Sequence, residues 1–206
     1  MTTHDNAAAS RRTGGYANGR ARRQQILDAA MNLFGDVGYR SASLREIAAR
    51  VGISHPGLLH HFPTKEALLL AVLERRDEID TATLQEDSDD GVELLRRVID
   101  IVALNTHRRG VVELYTALAA EATSATHPAH DYFTQRYRHT LAAVTRAYRL
   151  THEQGHLRDG ISPAAAAAQL VAVMDGLQLQ WLLDGGRTDM TGVVREFIAA
   201  QLTVAL

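Results

Sequence analysis

Three groups of residues in this chain have types and spacings that could do chemistry. His152-Glu153-Gln154-Gly155-His156 spells H-E-x-x-H, in which two histidines one helical turn apart hold zinc and the glutamate activates water. Ser43-Leu44-Arg45-Glu46 and Ser54-His55-Pro56-Gly57 start two short apolar-periodic runs separated by Gly52. Such a helix, turn and helix can brace short polar side chains for entry into a DNA major groove ~12 Å wide. Arg11, Arg12, Arg20, Arg22 and Arg23 gather ahead of the first periodic segment, a charge cluster suited to a polyanion. The first group points to a hydrolase and the other two to nucleic acid.

The elements that must position these groups read as helices throughout. Residues 1–19 are small, polar and aperiodic, and are expected to form a flexible basic arm. From Arg20, Ile26, Ala29, Ala30, Leu33, Phe34 and Val37 fall on one helical stripe that stops at Gly38. Ser43 and Glu46 have the spacing of a reciprocal capping box, with the hydroxyl on the Glu46 amide and the carboxylate reaching back to the Ser43 amide. Gly52 suits the positive φ that ends this second helix, and Ser54 caps a third in which Pro56 is tolerable. A fourth helix starts near Thr64 and is long enough to join two domains. Helical spacing then continues through Leu94, Val98 and Val102, through Val111, Leu114 and Leu118, and through Phe133, Tyr137 and Val144. Ser162-Pro163 opens an eighth helix that is apolar most of the way round and ends at Gly185-Gly186; residues 190–206 read as a ninth. No strand alternation persists, so the expected fold is all-α, with about nine helices.

Composition narrows the function classes. The 206 residues are 46% hydrophobic and 22% charged, without cysteine, which excludes disorder and a disulfide framework. The longest apolar runs, 67–73 and 164–168, are too short to span a bilayer, and no apolar stretch follows the N-terminal charges, so no membrane association and a cytoplasmic location are expected. Net charge is −2, yet residues 1–66 carry nine basic against five acidic residues, a net +4, while the remainder is −6. A basic first third on an acidic body orients a molecule on nucleic acid. The zinc reading is weakened because Gly155, followed by Leu157-Arg158-Asp159-Gly160, reads as a helix C-terminus. The second histidine then loses helical spacing, and no later histidine supplies a third ligand. His127 and His130 flank Pro128 in an expected loop. No metal and no cofactor is expected.

Over residues 22–70 the chain resembles the DNA-binding region of the TetR family of transcriptional repressors. Ile26, Ala29-Ala30, Leu33-Phe34, Gly38-Tyr39, Ser43, Ile47-Ala48, Val51-Gly52 and the run His61-Phe62-Pro63-Thr64-Lys65-Glu66-Ala67-Leu68 carry the resemblance, and Met174-Asp175-Gly176-Leu177 looks similar too. The resemblance implies a three-helix helix-turn-helix domain over 20–66 and a ligand-binding and dimerisation domain over 67–206. It implies phosphate contacts from Ser43 and Lys65, the latter the only lysine in the chain, and places Ser54, His55, Gly57 and His61 on or beside the recognition helix. Arg45 and His55 are the expected base-edge readers. Where many relatives have aromatic residues this chain has Leu59 and His60; Leu59 donates no hydrogen bond, so either it packs inward or the operator is read through fewer contacts.

For the C-terminal part, the resemblance implies a small-molecule pocket and a homodimer through the last two helices. His107, Tyr115, Phe133, Tyr137, Gln178 and Trp181 are the candidate pocket residues. Leu170, Met174, Leu177, Leu182, Val194 and Phe197 are the candidate dimer contacts. The expected function is a ligand-responsive repressor, not an enzyme, that binds a palindromic double-stranded DNA operator and is released by a small-molecule inducer of unknown identity. An activator or ligand-independent DNA-binding protein of the same fold is the first alternative. A zinc-dependent hydrolase is the alternative from another class.

Overall fold

The computed structural model describes residues 5–84 and 88–206, with side chains over 18–78 and 88–206. The described residues form nine α-helices and no strand beyond an isolated bridge between Leu157 and Leu202. The chain divides into two compact units, Met1–Arg75 and Arg76–Leu206, at a boundary inside the fourth helix and further along it than residue 66.

The first unit holds α1 (Asp5–Val37), α2 (Leu44–Val51), α3 (His55–His61) and the start of α4 (Lys65–Leu84). Helix α1 starts at Asp5, so most of the segment expected to be a flexible arm is helical. Within it Gly14, Gly15 and Gly19 are weak helix formers, each costing about 1 kcal/mol relative to alanine. Residues 1–4, and the side chains of Arg11 and Arg12, lie outside the described residues. Ile26, Leu33 and Phe34 of α1 are buried with Ile47 of α2 and Leu58 of α3, which fixes the three helices on one apolar centre. Val37 does not join it and is 46% exposed beside Gly38, where the helix ends.

The second unit holds α5 (Gly91–Thr106), α6 (Arg109–Glu121), α7 (His130–Glu153), α8 (Pro163–Leu183) and α9 (Met190–Ala199), with the later part of α4. Helix α5 packs on α7 and α9, and α8 packs on α6, α7 and α9. Leu95, Ile99, Tyr148, Leu170 and Val194 are fully buried between them. Asp90 caps α5, its carboxylate accepting from the amides of Val92 (2.9 Å) and Glu93 (3.0 Å). At Gly91 a β-carbon would fall 2.3 Å from the Thr151 amide nitrogen and 2.6 Å from the Ala147 carbonyl oxygen, so only glycine lets α5 start against α7. The ninth helix ends at Ala199 rather than continuing to residue 206. The backbone turns away because Gln201 O accepts from the Arg158 amide (2.9 Å) and the Thr203 amide donates to His156 O (2.9 Å). Among the described residues no helix is long and apolar enough to cross a membrane.

Candidate nucleic-acid interface and ligand pocket

In the first unit, local capping positions the candidate DNA-contacting residues. The Ser43 hydroxyl accepts from the Arg45 amide (3.2 Å) at the start of α2. Neither half of the expected capping box forms as read from the sequence: the hydroxyl caps the Arg45 amide instead of that of Glu46, and the Glu46 carboxylate is engaged elsewhere. Glu46 pairs with Arg50 one turn on (3.1 Å), because a charged partner on the same face competes with the Ser43 amide. Gly52 ends α2 at φ 71°, ψ 34°, and its amide donates to the carbonyls of Ala48 and Ala49. Two residues later the Ser54 hydroxyl accepts from the Gly57 amide (3.1 Å) and starts α3. Arg45, Ser54 and His60 are exposed, whereas His55, Gly57 and His61 are half-buried. Leu58 is the residue of α3 that enters the core; Leu59 is half-buried beside it, and His60 sits edge-on to His61 at 5.8 Å.

Lys65 stands at the first position of α4 and is held from two sides. Its ammonium donates to the Arg40 carbonyl (3.0 Å) and lies 4.7 Å from the centre of the Tyr39 ring, which ties it to the loop that leads into Ser43. Partial burial holds its pKa below the ordinary lysine value. Burial, and then the charge and hydrogen bond of Glu66, push the Tyr39 phenol up to about 12. Helical periodicity carries no sign that Tyr39 positions this lysine. Two arginines of the basic cluster serve the fold: Arg22 donates to the Val51 carbonyl at the end of α2 (3.2 Å), and Arg23 stacks 4.9 Å from the Phe62 ring centre.

The second unit encloses a cavity of about 460 Å³ bounded by α4, α6, α7 and α8, within the usual size for small-molecule sites. Tyr115, Phe133, Tyr137 and Gln178 line it as expected. His107 and Trp181 do not. His107 is exposed where α5 ends, and Trp181 is 5% exposed in the core with Arg109 over its ring at 5.4 Å. The charged residues missed from sequence are Arg76, Arg136 and Asp175. Arg76 is 4% exposed, with its guanidinium 3.7 Å from the Tyr115 ring centre; that of Arg136 is 5.3 Å from the same ring. Arg136 pairs with Asp77, which also accepts from the Tyr132 hydroxyl, and Tyr132 shares a 3.1 Å hydrogen bond with Tyr115. Burial, reinforced by the Arg76 charge, lowers the Arg136 pKa to about 10, so the guanidinium is still charged at neutral pH. Across the cavity the Tyr137 hydroxyl donates to Asp175 (2.9 Å). Burial first, then Asp175, raises the Tyr137 phenol to about 12, and burial raises the Asp175 carboxyl.

Comparison with known proteins bears on both regions. Residues 26–72 match bacterial regulatory proteins of the tetR family, and residues 92–203, more than half of the chain, match the C-terminal domain of BetI-type transcriptional repressors. The chain belongs to the TetR family. It is 32% identical over 170 residues to the HTH-type transcriptional repressor AcnR of Corynebacterium diphtheriae, covering 82% of this chain and 84% of AcnR. It is 28% identical over 178 residues to the A-factor receptor protein of Streptomyces griseus, covering 84% of this chain but only 59% of that protein's length. A solved structure described as a transcriptional regulator from Saccharomonospora viridis, in complex with choline, has a TM-score of 0.73 at 25% identity and covers 87% of this chain and 96% of its own.

In this TetR-family chain the candidate dimer residues divide by burial. Leu170, Leu177 and Val194 are in the core and have little surface to offer a partner; Met174 lines the cavity; Leu182 and Phe197 are half-buried. An apolar helix covered on one side by its own chain keeps a second face, and that face is Leu179 and Leu183 of α8, with Val193 of α9, at 49%, 79% and 41% exposure. The H-E-x-x-H histidines do not share a helix face. Helix α7 ends at Glu153, Gly155 takes φ 74°, and the His156 amide closes the helix end on the Thr151 carbonyl (2.9 Å).

Proposed function

We propose that this TetR-family chain is a ligand-responsive transcriptional repressor without catalytic activity, acting in the cytoplasm as a homodimer on a palindromic operator and released by a small molecule. The observation that carries the proposal is the pairing, in one chain, of a capped helix-turn-helix with exposed Ser43, Arg45 and Ser54 and a separate unit with a cavity between its helices. Ser43 and Lys65, at helix starts where free N–H groups and the helix dipole favour anions, anchor phosphates; His55, Arg45 and His60 face base edges. Arg20 and the arm before it add sequence-independent attraction. Two recognition helices ~34 Å apart fit successive major grooves.

The dimer forms on the exposed stripe of α8, where Ala165, Ala168, Ala172, Leu179 and Leu183 recur at spacings of three, four and seven residues. Small residues let two such helices approach closely, and a two-fold interface matches operator palindromy. Ligand in the cavity acts through α4, which supplies Arg76 to the cavity wall and Lys65 to the DNA face. Ligand binding then favours a dimer whose recognition helices no longer match the operator.

A gel-shift titration of the purified protein against the DNA upstream of its own gene, at two salt concentrations and with competitor DNA, tests this reading. Competitor-resistant, salt-sensitive binding is expected. Absence of binding even at low salt overturns it.

A further inference from the structure

We propose that the cavity is selective for a small organic anion, a carboxylic acid with an apolar or aromatic body, whose carboxylate is held by Arg76 and Arg136. This rests on reading the cavity as an effector site. Among the described residues that line it, the charged ones are two arginines and one aspartate. Both guanidiniums are drawn to one ring, that of Tyr115, at 3.7 and 5.3 Å, so their charges converge on one part of the wall. A carboxylate is the group whose two oxygens match guanidinium N–H geometry, and together with Asp77, which pairs with Arg136, it balances the charge of the two cations. The aspartate, Asp175, is engaged by the Tyr137 hydroxyl at 2.9 Å and stands on α8 rather than on α4 and α7, which carry the two arginines. Phe133, Val171 and Met174 supply an apolar surface for the rest of the ligand.

The same geometry disfavours a quaternary ammonium. A cation of that kind binds over aromatic faces, and Arg76 already covers the face of Tyr115. The choline-bound relative and this chain therefore differ in the charge of the ligand they take.

Isothermal titration calorimetry of the full chain tests the assignment with phenylacetate, 3-phenylpropionate and 4-phenylbutyrate, each set against its amide and against the trimethylammonium compound of the same length. At least one carboxylate is expected to bind at least about tenfold more tightly than both of its matched partners. Arg136→Gln is expected to abolish that preference and Arg136→Lys to restore part of it. Because Arg136 also pairs with Asp77 and its loss can unsettle the fold, Asp175→Asn gives an independent reading: it removes the one lining carboxylate and is expected to raise the carboxylate-to-amide affinity ratio. An amide or ammonium that binds as tightly as its carboxylate, or no carboxylate that saturates the protein at millimolar concentration, overturns the assignment. Gel shift on the same preparations separates the two readings. Carboxylate binding that leaves operator affinity unchanged overturns the effector role and not the anion site, whereas a wild-type chain that binds operator but shows no anion preference overturns the site alone.

Discussion

The two units solve recognition in opposite ways. The candidate DNA face is a surface built from residues 43–65, most of it placed by caps and turns within a few residues: Ser43 on the Arg45 amide, Gly52 on α2, Ser54 on the Gly57 amide, with Lys65 the exception. The candidate ligand site is a concavity built from residues far apart in sequence, Arg76 on α4, Tyr115 on α6, Arg136 on α7 and Asp175 on α8, held together by helix packing and by bonds between helices such as Tyr137 to Asp175. Local chemistry therefore governs the first site and tertiary packing governs the second, and substitutions in the two units are expected to fail differently.

The largest expected effect strikes the packing on which the cavity depends. Gly91→Ala puts a β-carbon against the backbone of Thr151 and Ala147, which cannot rotate aside. The cost is about 3 kcal/mol, or ~10 °C in melting temperature for a chain of this size. Differential scanning calorimetry checks it, and a variant that melts within 2 °C of wild type would break the argument that α5 needs glycine there. Next comes the exposed face of α8. Leu183→Glu is expected to weaken self-association by about 2 kcal/mol or more, with sedimentation velocity moving toward monomer and operator affinity falling with it. An unchanged sedimentation profile would move the interface elsewhere. Smaller again is Lys65→Ala, expected to weaken DNA binding about tenfold on all sequences alike and to reduce the slope of log affinity against log salt by about one. A loss confined to one operator base would instead make Lys65 a base reader.

This contrast also explains what the sequence disclosed. The helix-turn-helix was legible because its signals, Ser43, Gly52 and Ser54, act on their own neighbours. Even there Ser43 capped the Arg45 amide rather than that of Glu46, whose carboxylate found Arg50, and the preparation of Lys65 by Tyr39 and the Arg40 carbonyl spans 25 residues and left no periodic trace. In the second unit the helices were legible and their burial was not. Tyr115, Phe133, Tyr137 and Gln178 reach the cavity, but Trp181, on the same helix as Gln178, turns into the core, and Leu170, Leu177 and Val194 are covered by their own chain rather than a partner. One signal was available. Arg76 continues the stripe of Leu69 and Val72, and Arg136 lies between Phe133 and Tyr137 on the inward face of α7; an arginine on an apolar stripe is costly unless it is paired or used.

The smallest effect compares the units on equal terms, because each holds one phenol pushed up to about 12 by burial and a neighbouring carboxylate: Tyr39 beside Glu66, and Tyr137 beside Asp175. Between pH 10 and 12 the unfolded chain has released these protons while the native chain keeps them. The unfolded state then binds fewer protons, so stability falls as pH rises. Each contribution is fully present below pH 10 and lost as pH passes about 12. Both side chains are partly exposed, so solvent screening holds each below ~1 kcal/mol. The Arg136 guanidinium, lowered to about 10, titrates in the same window with the opposite sign. It is present in wild type and in Tyr39→Phe alike and cancels from their difference. Urea denaturation from pH 8 to 12 should therefore show a wild-type to Tyr39→Phe difference that is constant to pH 10 and then shifts in favour of the variant. Tyr137→Phe also changes the field at Arg136, so its curve should depart from that of Tyr39→Phe. Identical curves for the two variants would mean that the Tyr137 phenol and the Arg136 guanidinium do not influence one another.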